Sequence, residues 1–271
     1  MDYRDGGNGA FRIYSIFEYH YSIMKRQVLL LSSSRPNRQA VYFSHARGAI
    51  ENILKGVHRL LFIPYAAPGG ATYSAYTGSI REAFAGVGLP QQVEGIEAYK
   101  DPVMAIREAE AVFIGGGNTF LLLKTLYDAE LLTPLRQRVA EGMPYIGSSA
   151  GSNVAGLTIN TSNDMAIVHP PSFDALGILP FNINPHYPLE ESQLHSGESR
   201  AERIREFHSL PQNRQAVLAL YERSMLHLEG HKMRLLGSTP AGQPAAWLFR
   251  QGEREPVAYA SGAELSGLME G

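Results

Sequence analysis

The sequence predicts an α/β protein: a mostly parallel sheet with helices on both faces, and an antiparallel extension in the C-terminal third. Three observations carry that expectation. Short apolar runs alternate with helical stretches through the first 150 or so residues. The runs are continuous, as in Val28-Leu29-Leu30-Leu31 and Leu60-Leu61-Phe62-Ile63, which is how strands covered on both faces read. After Ala216 the pattern changes to closely spaced strands with hairpin signals.

In chain order, Val28–Leu31 is a strand closed by Ser32-Ser33-Ser34, and a helix is expected over roughly 41–55. Leu60–Ile63 is the second strand. A Gly/Ala/Tyr-rich loop follows and leads to a helix around 79–85. Val93–Ile96 is a third strand. Asp101-Pro102 opens a helix with a capping carboxylate followed by proline at the first position. Ala111–Ile114 is a fourth strand, ending in Gly115-Gly116-Gly117-Asn118, and helices are expected over 119–127 and 134–141. Tyr145 and Ile146 feed a second glycine cluster at 147–151. Repeated strand–helix units imply a parallel sheet whose ligands bind at the carboxyl ends of the strands, where both glycine clusters sit. Farther on, 216–221, 225–228, 233–236, 246–249 and 257–259 read as short strands, with Glu229-Gly230-His231 as a hairpin turn.

The 271 residues are enough for one large domain. A formal net charge of -2 gives no general attraction to nucleic acid or an anionic membrane. The absence of cysteine excludes a disulfide framework, a cysteine nucleophile and thiolate metal sites. No apolar run approaches the ~20 residues of a membrane span. Residues 1–22 lack an uninterrupted apolar centre and read poorly as a signal peptide. Met24 is followed by Lys25-Arg26-Gln27 and then a clear strand. The expectation is therefore an extension over 1–23 and a single catalytic domain over 24–271.

Gly147-Ser148-Ser149-Ala150-Gly151 matches the Gly-x-Ser-x-Gly pattern of a nucleophile elbow. A serine on a tight strand-to-helix turn needs neighbours at minus two and plus two with almost no side chain. Ser149 is the candidate nucleophile. It needs a base, and the base needs an orienting group. Of the nine histidines, His45, His58, His195 and His208 lie in helical or polar stretches where a structural role suffices. His227 and His231 fall in the hairpin and lack the helical zinc-protease spacing, so no metal site is expected. His186, in Asn184-Pro185-His186, sits at the end of an expected strand stiffened by proline. Two acids compete for the third role. Asp164 lies 15 residues after Ser149 and 22 before His186, and Glu222 follows the strand 216–221. For an oxyanion hole, Ala150 offers the N–H after the nucleophile, and Gly117 offers one from the adjacent glycine-rich loop. That loop lacks the spacing of a nucleotide-phosphate loop.

Taken in order, Phe113-Ile114-Gly115-Gly116-Gly117-Asn118-Thr119-Phe120, Tyr145-Ile146-Gly147-Ser148-Ser149-Ala150-Gly151-Ser152-Asn153, Thr161-Ser162-Asn163-Asp164-Met165, Phe173-Asp174-Ala175-Leu176 and Ile183-Asn184-Pro185-His186 resemble peptidase E. This is the aspartyl dipeptidase family with a class I glutamine-amidotransferase-like fold. The likeness runs from about Met24 to the C-terminus. It implies a cytoplasmic serine peptidase that cleaves dipeptides with N-terminal aspartate. By motif position Ser149 would be the nucleophile, His186 the base and Asp164 the orienting acid, with Glu222 matching a contending acid. Arg200, in Glu198-Ser199-Arg200-Ala201, matches the family's arginine for the substrate's aspartyl carboxylate. A guanidinium can hold such a group bidentately.

Two residues depart from the family pattern. Ser148 stands where a bulky aromatic is common, and His169 stands where an acid is usual. The resemblance implies no cofactor and a small peptide substrate. A homodimer is one option the sequence leaves open. The alternatives are a cyanophycinase-like hydrolase of aspartate-rich polymer and a non-catalytic binding protein on the same fold.

Overall fold

The computed structural model describes residues 26–35, 37, 39–189 and 197–270. The expected extension over 1–23 and His195 lie outside these residues.

Seven strands form the main sheet in the order β3-β2-β4-β5-β1-β8-β9. They are β1 (Gln27–Leu31), β2 (Arg59–Ile63), β3 (Gln92–Gly95), β4 (Ala111–Ile114), β5 (Tyr145–Ser148), β8 (Ser224–Glu229) and β9 (Lys232–Gly237). The first five are parallel to one another, and β8 and β9 add an antiparallel edge beside β1. The alternating geometry of a strand divides the side chains between two cores. Val28, Leu30, Leu61, Ile63, Val112 and Ile114 face one core, while Leu29, Leu31, Leu60, Phe62, Ala111 and Phe113 face the other. The first is covered by α3 (Pro102–Glu108), α4 (Thr119–Asp128) and α5 (Leu132–Ala140). The second is covered by α1 (Arg47–Ile53) and α2 (Tyr73–Gly86). Full burial of a side chain of this size stabilises the fold by about 1.5–3 kcal/mol.

The C-terminal third divides between two sheets, whereas the sequence suggested one antiparallel edge. A separate four-stranded sheet runs β11-β10-β7-β6, from β6 (Asn182–Tyr187), β7 (Val217–Tyr221), β10 (Ala246–Phe249) and β11 (Val257–Tyr259). Its pair β6–β7 is parallel. The inner face, with Ile183, Leu218, Leu220 and Leu248, joins the first core of the main sheet. The outer face, with Val217, Ala219 and Phe249, is covered by Ile204 of α7 (Arg200–His208). Both faces are thus apolar, and single-residue alternation cannot distinguish an edge extension from a second layer.

Two helices begin elsewhere than the sequence suggests. Helix α2 starts at Tyr73 because Thr72 caps it, its hydroxyl accepting from the Ala75 N–H. Helix α1 is shorter than expected because Phe43, at φ 59°, interrupts the backbone four residues before it. The predicted cap holds at Asp101, which accepts from the Met104 N–H at 3.0 Å; Asn118 is a further cap, accepting from the Leu121 N–H at 3.0 Å.

Strand β6 carries an irregularity that matters for the site. Its register against β7 shifts between Asn184 and Tyr187, so Pro185 and His186 form a bulge. A proline there removes no ladder hydrogen bond. His186 takes φ 58°, which turns its ring out of the pleat.

Candidate active site

The site lies where strands of both sheets end. Beyond β5 the backbone turns sharply at Ser149, with φ 53° and ψ -109°. That is a sparsely populated conformation for a residue with a side chain, and it is the geometry of a nucleophile elbow. The short helix α6 (Ala150–Asn153) begins immediately. Its return brings it against its own strand and its neighbour. A methyl group on Gly151 would overlap the Ile114 carbonyl of β4, and one on Gly147 would overlap the Gly151 carbonyl. The obstacles are backbone and cannot rotate away. Gly151→Ala is therefore expected to destabilise the protein by about 1–3 kcal/mol, read as a lowered denaturation midpoint with an unchanged slope.

The end of β1 supports the elbow from the other side. The Leu31 carbonyl accepts from the Ser149 N–H at 3.1 Å and from the Ser152 hydroxyl at 2.7 Å. The next residue, Ser32, accepts the His186 N–H at 2.8 Å and donates to the Leu220 carbonyl at 3.0 Å. One buried hydroxyl thus joins the two sheets directly behind the imidazole.

His186 Nε2 lies 2.7 Å from the Ser149 hydroxyl, and His186 Nδ1 lies 2.7 Å from Glu222 Oε2. A carboxylate at Nδ1 keeps the proton on that nitrogen and leaves Nε2 free to accept. Burial alone would push the Glu222 carboxyl up. The hydrogen bond and charge of His186, with the charge of Arg200 nearby, outweigh burial and hold it below its usual range. Glu222 is thus a carboxylate anion at neutral pH.

The choice of Asp164 as the acid behind His186 is corrected by this geometry. Asp164 Oδ2 accepts the Thr119 N–H at 2.8 Å and the Thr119 hydroxyl at 2.5 Å. It therefore caps the start of α4, and Glu222 faces the imidazole. The Asn118 side chain donates to the Met165 carbonyl at 2.8 Å, and Asn184 donates to the Thr161 carbonyl at 2.7 Å. These bonds fasten the 161–165 loop beside the glycine loop. Thr119 also accepts from Asn153 of α6 at 3.3 Å.

The glycine loop 115–117 follows β4 and passes Ser149. A side chain on Gly116 would start 3.0 Å from the Ser149 Cβ. Gly117 takes φ 140° and packs on the Ala66 carbonyl with no room for a Cβ. Among the described residues, neither the Gly117 N–H nor the Ala150 N–H donates to another backbone group. Arg200 reaches the site from the start of α7, its Nη1 donating to the carbonyls of Pro185 at 3.0 Å and His186 at 2.5 Å.

The other serines of the elbow are engaged elsewhere or sealed off. Ser152 bonds to β1, and Ser148 is 1% exposed with its hydroxyl unpartnered. His169 is exposed, with its ring 6.3 Å from that of Phe173. His227 lies on β8 and His231 in the turn after it. No cluster of three or more potential metal-ligating side chains occurs among the described residues.

Residues 28–236 match the model of peptidase family S51. The chain belongs to peptidase family S51. Relatives agree with the assignment. A Drosophila melanogaster protein named "Probable alpha-aspartyl dipeptidase" is 46% identical over 223 residues, covering 80% of this chain and 88% of that protein. A "Peptidase E" from Shewanella baltica (strain OS195) is 42% identical over 246 residues, covering 91% and 98%. Among solved structures, a peptidase from an acI-B1 Actinobacterium superimposes with a TM-score of 0.63 at 16% identity, covering 92% of this chain and 99% of that one. At that identity the likeness speaks to the fold. It agrees with the α/β arrangement that the S51 chain was expected to have.

Residues that sequence reasoning missed are Ser32, Tyr76 and Thr119. Ser32 had one signal: it is the first polar residue beyond a buried parallel strand, the level at which sites form. The Tyr76 hydroxyl meets the Gly116 backbone carbonyl and the Thr119 hydroxyl meets the Asp164 and Asn153 side chains, all at least 34 residues away, so neither leaves a local pattern. Among the described residues no helix is long and apolar enough to cross a membrane.

Proposed function

We propose that this family S51 member is a serine-type dipeptidase that hydrolyses dipeptides with N-terminal aspartate. The observation that carries the reading is the continuous hydrogen-bonded line from Ser149 through His186 to Glu222, 2.7 Å at each step. The aspartyl preference rests on the relative named "Probable alpha-aspartyl dipeptidase", at 46% identity.

In the proposed reaction His186 Nε2 takes the Ser149 proton as the oxygen attacks the peptide carbonyl carbon. Negative charge moves to the carbonyl oxygen, where the Ala150 and Gly117 N–H groups stabilise it. Collapse breaks the C–N bond, and His186 returns the proton to the departing amine. The aspartyl ester on Ser149 is then hydrolysed by a water that His186 deprotonates. Glu222 orients the ring and stabilises its charged form. Arg200 is the group for the substrate's side-chain carboxylate, its guanidinium bonded to the backbone carbonyl of His186. Asp164 has a supporting role, holding α4 and the loop before it. One catalytic domain beginning near Met24 and a cytoplasmic site of action belong to the same proposal.

Purified protein should release leucine from Asp-Leu and leave Leu-Asp intact, at a rate unaffected by excess chelator. Loss of activity on chelation would overturn the mechanism. Cleavage of a long aspartate polymer in place of Asp-Leu would move the assignment to a cyanophycinase-like hydrolase.

A further inference from the structure

The glycine loop raises a question that the hydrolytic residues leave open. Gly115, Gly116 and Gly117 have no side chains to hold their peptide planes, and glycine visits many conformations at little cost. An oxyanion donor is useful only if it is aimed before the charge develops. Some group outside the loop must therefore set the plane that carries the Gly117 N–H.

Tyr76 is placed to do this. It lies in the first turn of α2, and its hydroxyl donates to the Gly116 carbonyl at 3.0 Å. Its ring stands edge-on to Phe62 of β2, with centroids 5.0 Å apart and planes at 89°. Two facts fix the sides of the loop. A side chain on Gly115 would meet the Tyr76 hydroxyl and the Phe62 ring, whereas one on Gly116 would meet Ser149. Tyr76 and the nucleophile therefore flank the loop on opposite faces. A trans peptide points its C=O and N–H in opposite directions. Holding the Gly116 carbonyl toward Tyr76 turns the Gly117 N–H away from Tyr76, to the side where Ser149 stands.

We propose that Tyr76 is a positioning residue for the oxyanion hole, acting through the Gly116–Gly117 peptide plane. This rests on the serine-hydrolase reading given above. Burial keeps the phenol well above its ordinary titration range, so it remains a donor throughout the working pH range. The flanking contacts anchor the ends of the loop but not its middle plane. The Gly115 N–H donates to Ile63 at 3.2 Å, and the Asn118 N–H to Ala66 at 2.9 Å.

The test is Tyr76→Phe, which removes one oxygen and keeps the ring against Phe62. Two quantities are measured on wild type and variant: hydrolysis of Asp-Leu, and inhibition by an aspartyl boronic acid, which forms a tetrahedral adduct on a serine. A group that aims an oxyanion donor acts on the transition state more than on the ground state. The expected result is a kcat lowered by about 10- to 100-fold, with the boronate bound more weakly by a similar factor. KM for Asp-Leu and the pH profile should not move. The ratio of inhibition constant to KM does not depend on how much variant is folded, so a loss of yield leaves the comparison intact. An unchanged ratio overturns the proposal, as does a loss confined to KM. A wild-type protein that neither cleaves Asp-Leu nor binds the boronate overturns the function itself, which is a separate outcome.

Discussion

Replacing Ser149 by alanine should lower kcat on Asp-Leu by about a millionfold, while the dipeptide still binds. The expectation follows from the elbow. Of its three serine hydroxyls, Ser149 alone meets the imidazole, at 2.7 Å, while Ser152 is bonded to Leu31 and Ser148 is sealed in the core. Neither can take over, so no partial rescue is expected. The residual rate should be that of an oxyanion hole acting on water-driven hydrolysis. In parallel, a fluorophosphonate probe should label the wild type at Ser149 and leave the alanine variant unmodified. Substantial activity in Ser149→Ala would remove the basis for the mechanism.

The second large effect separates the two acids. Glu222→Gln should reduce kcat by about 10⁴-fold, because an amide can no longer hold the imidazole in the working tautomer or stabilise its charged form. Asp164→Asn should cost no more than about a hundredfold, since it weakens only the capping of α4 beside one oxyanion donor. The pH dependence gives a sign as well as a size. Glu222 is held below the usual carboxylate range, so in the wild type it remains anionic through the pH range in which an imidazole titrates. Loss of this anion by protonation should therefore appear in the wild type only below the usual carboxylate range, as a fall in kcat/KM toward lower pH that Glu222→Gln lacks. The opposite ranking of the two variants would restore Asp164 as the partner of the base.

The contrast between these acids shows what the sequence could reveal. The elbow was legible because its glycines answer to hard sterics: Gly147 and Gly151 are needed wherever this chain reverses against β4 and its own strand. His186 was legible because a proline before it marks an interruption in a strand. The parallel core was legible because apolar runs covered on both faces are continuous. Between Asp164 and Glu222 the sequence offered no such constraint. Glu222 follows an expected strand and Asp164 lies in an Asn/Ser/Thr-rich stretch, and the choice depends on whether β7 stands beside β6. That pairing joins residues about 35 apart through a parallel backbone ladder, which leaves no local pattern. Tyr76 was hidden for a related reason. Its hydroxyl serves a backbone carbonyl forty residues away, and from the sequence Tyr76 falls at the end of a Gly/Ala/Tyr-rich loop, ahead of the expected helix.

The bulge in β6 has a consequence for how this protein can vary. Side chains along a strand alternate between faces, so gaining or losing one residue exchanges every face beyond the change. Here Asn182 and Ile183 are paired normally with β7, and the extra residue falls between Asn184 and Tyr187. The bulge thus works as a parity setting. It sends the imidazole toward Ser149 while returning Tyr187 to the outer face, against Trp247 and Phe249. Around His186 the composition of this strand can drift, but its length cannot. A single deletion before His186 would leave its imidazole facing the wrong layer.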